Sequence, residues 1–148
     1  MSNLNAQIKS DIKEAMRAKD VQKRNTLRNI QVAIKDIEVN ERREVTDADV
    51  EAILMKYAKQ REDAMKQFQE AGREDLVEQE RAELAIVKSY LPEPMSDEEL
   101  EEVLKEIIAS VGATSMKDMG KVMGTAKKTI GSRADGGRIN LCVKALLS

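Results

Sequence analysis

Apolar residues recur along this chain every three or four positions, and the spacing predicts helices from end to end. The first stripe, Leu4, Ile8, Ile12 and Ala15, places a helix over about Asn3 to Lys19. A second carries Leu27, Ile30, Ile34 and Ile37, and the polar run Asn40-Glu41-Arg42-Arg43-Glu44 is expected to be the loop that ends it. Thr46-Asp47-Ala48-Asp49 has the form of a capping box. It opens a third helix with the longest stripe, Val50, Ile53, Leu54, Tyr57, Ala64, Phe68 and Ala71, stopped by Gly72. The fourth is predicted from Glu74 to Leu91, with Leu76, Val77, Leu84, Val87 and Leu91 inward. Ser96-Asp97-Glu98-Glu99 caps a fifth, with Leu100, Val103, Leu104, Ile107 and Ile108 on one face, ending near Gly112. Ser115-Met116-Lys117-Asp118 opens a short sixth with Met119, Val122 and Met123. Asp135 caps a last helix with Ile139, Cys142, Val143 and Leu146. No stretch shows the period of two that a half-buried strand requires. The expected fold is all-α.

Leu91-Pro92-Glu93-Pro94-Met95 interrupts the pattern. Each proline disfavours helix in the residue before it, so 92–95 is expected to be a linker. It divides a larger N-terminal helical subdomain, residues 1–91, from a small C-terminal one, residues 96–148.

Composition narrows the possibilities. At 41% apolar and 35% charged, the chain is too apolar for disorder and too charged for a membrane span. Its only aromatic residues are Tyr57, Phe68 and Tyr90, so the cores must be aliphatic. The residues Met1 to Lys9 contain no apolar leader of the secretory type, and Cys142 stands alone. Together these predict a cytoplasmic protein with no membrane partner. The absence of histidine removes Ser-His-Asp, Cys-His and His-ligated metal sites. Neither a catalytic residue, a metal site nor a cofactor is expected. Glu98, Glu99, Glu101 and Glu102 read as a solvated face, and Cys142 as a core thiol within its stripe.

Charge is unevenly distributed. Residues 92–110 hold one basic and seven acidic side chains, whereas residues 111–148 hold seven basic and two acidic. The basic set is Lys117, Lys121, Lys127, Lys128, Arg133, Arg138 and Lys144. Such a bias suits either an ordinary solvated surface or a nucleic-acid footprint. With so few aromatics, contact with RNA would favour phosphates over stacked bases. Gly120-Lys121-Val122-Met123-Gly124 is not a phosphate loop, because Val122 stands where Ser or Thr would hold magnesium. The two glycines, four apart, read first as permitting close helix approach or a break, with an RNA-facing surface as the alternative. Within the first subdomain, Arg61 and Glu80 fall in the apolar registers of the third and fourth helices. They are expected either to snorkel at the stripe's edge, to form an ion pair that fixes register, or to serve a function.

In order along the chain stand Thr26-Leu27-Arg28, Lys59-Gln60-Arg61, Gly72-Arg73-Glu74-Asp75-Leu76 and Tyr90-Leu91-Pro92-Glu93. Asp118-Met119-Gly120-Lys121-Val122-Met123-Gly124, Arg133-Ala134-Asp135-Gly136 and Ile139-Asn140 follow. In these the sequence resembles the GatB/YqeY family, stand-alone proteins similar to the tail domain of the B subunit of tRNA-dependent amidotransferases. It departs from the family pattern at Gly131-Ser132, where Lys-Gly is usual, and at Lys127-Lys128. The resemblance implies two helical subdomains and a tRNA-binding appendage, with tRNA or a tRNA-processing or amidotransferase complex as partner. Lys121 and Arg133, within the family-like motifs, become the first nucleic-acid candidates, followed by Lys127, Lys128, Arg138 and Lys144. A protein-interaction or assembly role without nucleic acid is the alternative. A third is a contribution to carbon–nitrogen ligase activity with glutamine as amide donor. The matched motifs carry no catalytic residue.

Overall fold

A computed structural model describes residues 2–148; Met1, the first residue of the expected N-terminal subdomain, lies outside them. Among the described residues there are seven α-helices and no strand: α1 Asn3–Arg17, α2 Val21–Glu41, α3 Asp47–Glu70, α4 Glu74–Lys88, α5 Asp97–Val111, α6 Met119–Ile130 and α7 Gly136–Leu147. Short 3₁₀ turns, Met116–Asp118 and Gly131–Arg133, flank α6. The fold is all-α. The chain forms two compact units that meet in sequence at Leu91 and Pro92.

The first unit packs α1 to α4 around Ile8, Ile12, Leu27, Ile30, Ile34, Val50, Leu54, Leu84 and Val87. Its joints are made by short polar side chains. Ser2 caps α1 by accepting from the Asn5 amide at 3.1 Å, and its hydroxyl donates to Asp47. Asp47 also accepts from the Leu4 amide at 3.1 Å, so the start of α3 secures the start of α1. The Thr46–Asp49 capping box is complete. The Asp49 amide donates to Thr46 Oγ1, and the Thr46 amide donates to Asp49 Oδ2 at 2.8 Å. Arg43 adds two bonds to the same carboxylate, at 2.6 and 3.0 Å, and holds Asp49 well below the usual carboxylate range. Tyr90, just beyond α4, is buried and donates to Asp11 Oδ2 on α1 at 2.5 Å. Burial and that bond push its pKa up.

Several boundaries differ from expectation: α4 stops at Lys88 rather than Leu91, and Ser115 caps the 3₁₀ turn ahead of α6 rather than α6 itself. Helix α2 continues through Asn40 and Glu41 and stops only at Arg42, which turns left-handed at φ 52°. Polar residues continue a helix readily when they lie on its exposed side, and both are exposed here. Helix α6 runs on through Gly124 to Ile130 because Val122, Ala126 and Ile130 keep a buried stripe that the glycines do not interrupt. Gly131, at φ 61° and ψ −130°, ends it in a conformation that side-chain-bearing residues rarely adopt.

The second unit packs α5, α6 and α7 around Leu100, Leu104, Ile107, Val122, Ala126, Ile130, Ile139 and Val143. Met95 belongs to this core and is buried. No helix of the described residues is long and apolar enough to cross a membrane.

Asp49→Asn should destabilise the first unit by about 1 kcal/mol, the usual cost of a lost helix cap. Asp49 has a depressed pKa in the folded state, so its contribution is present above the unfolded carboxylate range and is lost as pH falls through the folded value. Urea unfolding should therefore show the gap between parent and variant closing on acidification.

Candidate nucleic-acid interface

The inward side of α6 is set by Val122, Ala126 and Ile130, with Met119 and Met123 half-buried beside them. Helical rotation then places Gly120, Lys121, Gly124, Lys127 and Lys128 outward, and all five are exposed. A Cβ added at Gly120 or Gly124 would meet nothing within 4 Å, so among the described residues of the second unit no other helix packs closely against them. The reading of this pair as helix-packing glycines is corrected on that ground. They leave a strip of bare backbone between lysines. Lys117, on the turn before α6, is also exposed and stands four residues before Lys121; the spacing 117, 121, 124, 128 was visible in the sequence. Lys144, on α7, is exposed as well. Among the described residues, Lys117, Lys121, Lys127, Lys128 and Lys144 have no ion-pair partner.

The two arginines are placed differently. Arg133 reaches Glu99 Oε2 at 3.2 Å, and its Nε donates to the Glu93 carbonyl at 3.3 Å. Its own carbonyl accepts from the Met95 amide at 2.7 Å. Arg138 donates from Nη2 to the Met95 carbonyl at 2.8 Å and to Asp97 Oδ1 at 3.0 Å. Together they clamp residues 93–99 onto the segment between α6 and α7. Ser96 caps α5 by accepting from the Glu99 amide at 3.1 Å, while the Glu99 carboxylate turns to Arg133. The arginines thus neutralise part of the acidic first turn of α5, and the unpaired positive charge is left to the lysines.

In the first unit, Arg61 Nη1 lies 3.2 Å from Glu80 Oε2 and donates to Glu83 Oε2 at 3.3 Å. Its guanidinium carbon sits 4.8 Å from the Tyr57 ring centroid, within cation–π range. Glu83 Oε1 is 3.5 Å from the hydroxyl of the fully buried Thr26. Glu83, Thr26 and Tyr57 therefore complete a cluster of which the sequence suggested only Arg61 and Glu80. Burial holds the Glu80 carboxyl above the usual range, Arg61 pulls it down, and Glu83 pushes it up. Cys142 is half-buried, and its thiol is raised by burial and by Glu101 and Asp97, which disfavours the nucleophilic thiolate. Glu98, Glu99, Glu101 and Glu102 are exposed. Among the described residues no group of acidic or cysteine side chains could hold a metal ion.

A two-unit, all-helical chain with these motifs belongs to the family of YqeY-like proteins, whose sequence model matches residues 5–147. It is similar to the protein from Pyrenophora tritici-repentis named "Altered inheritance of mitochondria protein 41, mitochondrial". The two are 30% identical over 86% of this chain and 71% of that one. Proteins of the same name from Clavispora lusitaniae and Lachancea thermotolerans are 36% and 31% identical. Those matches cover 72% and 76% of this chain, and 63% and 64% of the relatives. More than a third of each of these two relatives thus lies outside the match. Their names overturn the cytoplasmic location expected from the sequence, since all three are named as mitochondrial proteins. That expectation rested on an unpaired thiol and on the make-up of the first residues. Both bear on the secretory route alone and do not separate the cytoplasm from an organelle reached another way.

Two outcomes check the roles of the charged side chains. Arg61→Met should cost about 2 kcal/mol at neutral pH, less than the 3–5 typical of a fully buried pair because the Arg61 side chain is 25% exposed. Without the cation, nothing offsets the burial and the neighbouring Glu83 that raise the Glu80 carboxyl in the folded state, so the loss should shrink as pH falls and Glu80 takes a proton. Arg138→Gln should cost about 1–2 kcal/mol through the bond to the Met95 carbonyl. The partner Asp97 is 98% exposed and contributes little. Lys121→Gln and Lys128→Gln should leave thermal stability unchanged.

Proposed function

We propose that this chain is a helical binding module whose second unit docks on the phosphate backbone of RNA, with tRNA as the first candidate. The observation that carries this reading is the outward face of α6, where Lys121, Lys127 and Lys128 flank the exposed glycines. Unpaired ammonium groups are free to exchange counterions for phosphates. Bare backbone at Gly120 and Gly124 lets a phosphodiester chain approach more closely than any side chain would permit. Residues 92–148 contain no aromatic residue, so splayed bases have no stacking platform there. The choice of tRNA rests on the similarity of the family to the amidotransferase tail domain, and a tRNA-dependent amidation complex is the corresponding protein partner.

Arg133 and Arg138 act in this reading by holding residues 93–99 against the α6–α7 segment, and the lysines make the contacts. Glutamine-dependent ammonia release by the purified protein would favour a share in carbon–nitrogen ligase activity instead.

The test is retardation of bulk tRNA across a salt series. Affinity should fall linearly on a log–log plot, and each of Lys121→Gln and Lys128→Gln should lower the slope by about 1. Lys121→Glu with Lys128→Glu should abolish the shift while helix content stays the same. A double variant that shifts tRNA like the parent would remove α6 as the interface.

A further inference from the structure

Helix α2 is apolar on two sides. Leu27, Ile30 and Ile34 face the core of the first unit, while Val21, Val32 and Val39 are 54%, 61% and 72% exposed. At 100° per residue these three valines fall on one line, directly opposite the buried stripe. Filling in the same line gives 21, 25, 28, 32, 35 and 39, the alternating four-three spacing of a helix-pairing seam. Val is among the poorer helix formers, so three exposed valines are not explained by helix propensity. Met16, at the end of α1, is 50% exposed and widens the apolar strip, its sulfur lying 3.6 Å from Arg28.

The charge along this seam says what covers it. Arg28 and Lys35 stand on the line itself and Arg24 beside it, and none has a carboxylate partner among the described residues. Arg24 bonds only to the Asn25 side chain, at 3.3 and 3.4 Å. Asp36 is the one acidic side chain close to the line. A second copy of α2 is a poor occupant, because symmetric pairing would put Arg28 and Lys35 into the seam from both sides. An RNA backbone would neutralise the cations but leave the valines facing phosphate and water.

We propose that the outward face of α2 docks an acidic amphipathic helix of a partner protein. Its apolar residues, at three-four spacing, cover Val21, Val32 and Val39, and its carboxylates pair with Arg24, Arg28 and Lys35. Helix α2 is 21 residues long, which at 1.5 Å per residue gives a seam of about 31 Å. That matches a partner helix of similar length.

Two fluorescent helical peptides of the length of α2 test this, each with leucines at three-four spacing, one flanked by Glu and the other by Lys. Fluorescence anisotropy with the full chain should show binding of the Glu peptide alone. Val32→Asp should weaken that binding by about tenfold or more. Arg28→Glu with Lys35→Glu should transfer the preference to the Lys peptide. Both substitutions lie on the surface, and circular dichroism should show parental helix content. Equal binding of the two peptides, binding of neither, or no effect of Val32→Asp would each overturn the proposal. Concentration-dependent self-association that Val32→Asp abolishes would overturn it in favour of a second copy, and loss of tRNA retardation in that variant would do so in favour of RNA. The Lys121→Glu, Lys128→Glu variant should still bind the Glu peptide, so this proposal and the RNA reading of α6 fail separately.

Discussion

Apolar side chains attract one another without direction, and among the described residues all the buried side chains except Ser2 and Thr26 are mainly apolar. Leucine, isoleucine and valine can drive four helices together in the first unit and three in the second, yet they tolerate sliding by a turn. What opposes that freedom is a few charged side chains that reach particular partners across the packed segments. Arg61 does so between α3 and α4, reaching Glu80 and Glu83 while lying against Tyr57. Arg133 and Arg138 do so in the second unit, where they hold the carbonyls of Glu93 and Met95. These arginines make the packing specific more than they make it strong, because each gives up hydration to reach its partners.

Much of this architecture is legible in the sequence because helix formation is local. Most of the apolar stripes and the caps at Thr46, Ser96 and Asp135 depend on residues three or four apart and are found where they were expected, although Ala71 is exposed and only the Ser96 half of the second capping box forms. The ends of α2 and α6 are not legible in that way. Polar residues at Asn40 and Glu41 and glycines at 120 and 124 break a helix only where the surroundings give no support, and on an exposed face next to a packed stripe they do not. The arginine clamps were hidden for another reason. Arg133 and Arg138 bond to carbonyls about forty residues away, and backbone carbonyls leave no mark in a sequence. Glu83 and Thr26 escaped notice because a helical glutamate or threonine is ordinary until its burial is known.

Charge is sorted in a way composition alone conceals. In the second unit the guanidinium groups are spent internally on the acidic start of α5, while the ammonium groups of α6 remain outside. The two cations suit those places. A planar guanidinium holds several carbonyl and carboxylate oxygens at once, whereas a flexible, hydrated ammonium adapts to phosphates of variable spacing. Around α2 the sorting is different, because there the arginines Arg24 and Arg28 themselves lie without carboxylates beside exposed valines. The two outward faces therefore differ in kind: that of α6 combines charge with bare backbone, and that of α2 combines charge with apolar side chains.

The placement of Tyr57, Phe68 and Tyr90, all within the first 91 residues, makes the chain's optical signals one-sided. Tyrosine emission and near-ultraviolet dichroism report the packing of Tyr57 against Arg61 and of Tyr90 against Asp11, and nothing in the second unit contributes to them. A melt followed through tyrosine records the first unit alone, and it looks like a single cooperative transition even if the second unit has already lost its structure. Amide dichroism records both. The offset between the two curves is a built-in measure of how tightly the two units are coupled in unfolding, and it needs no label.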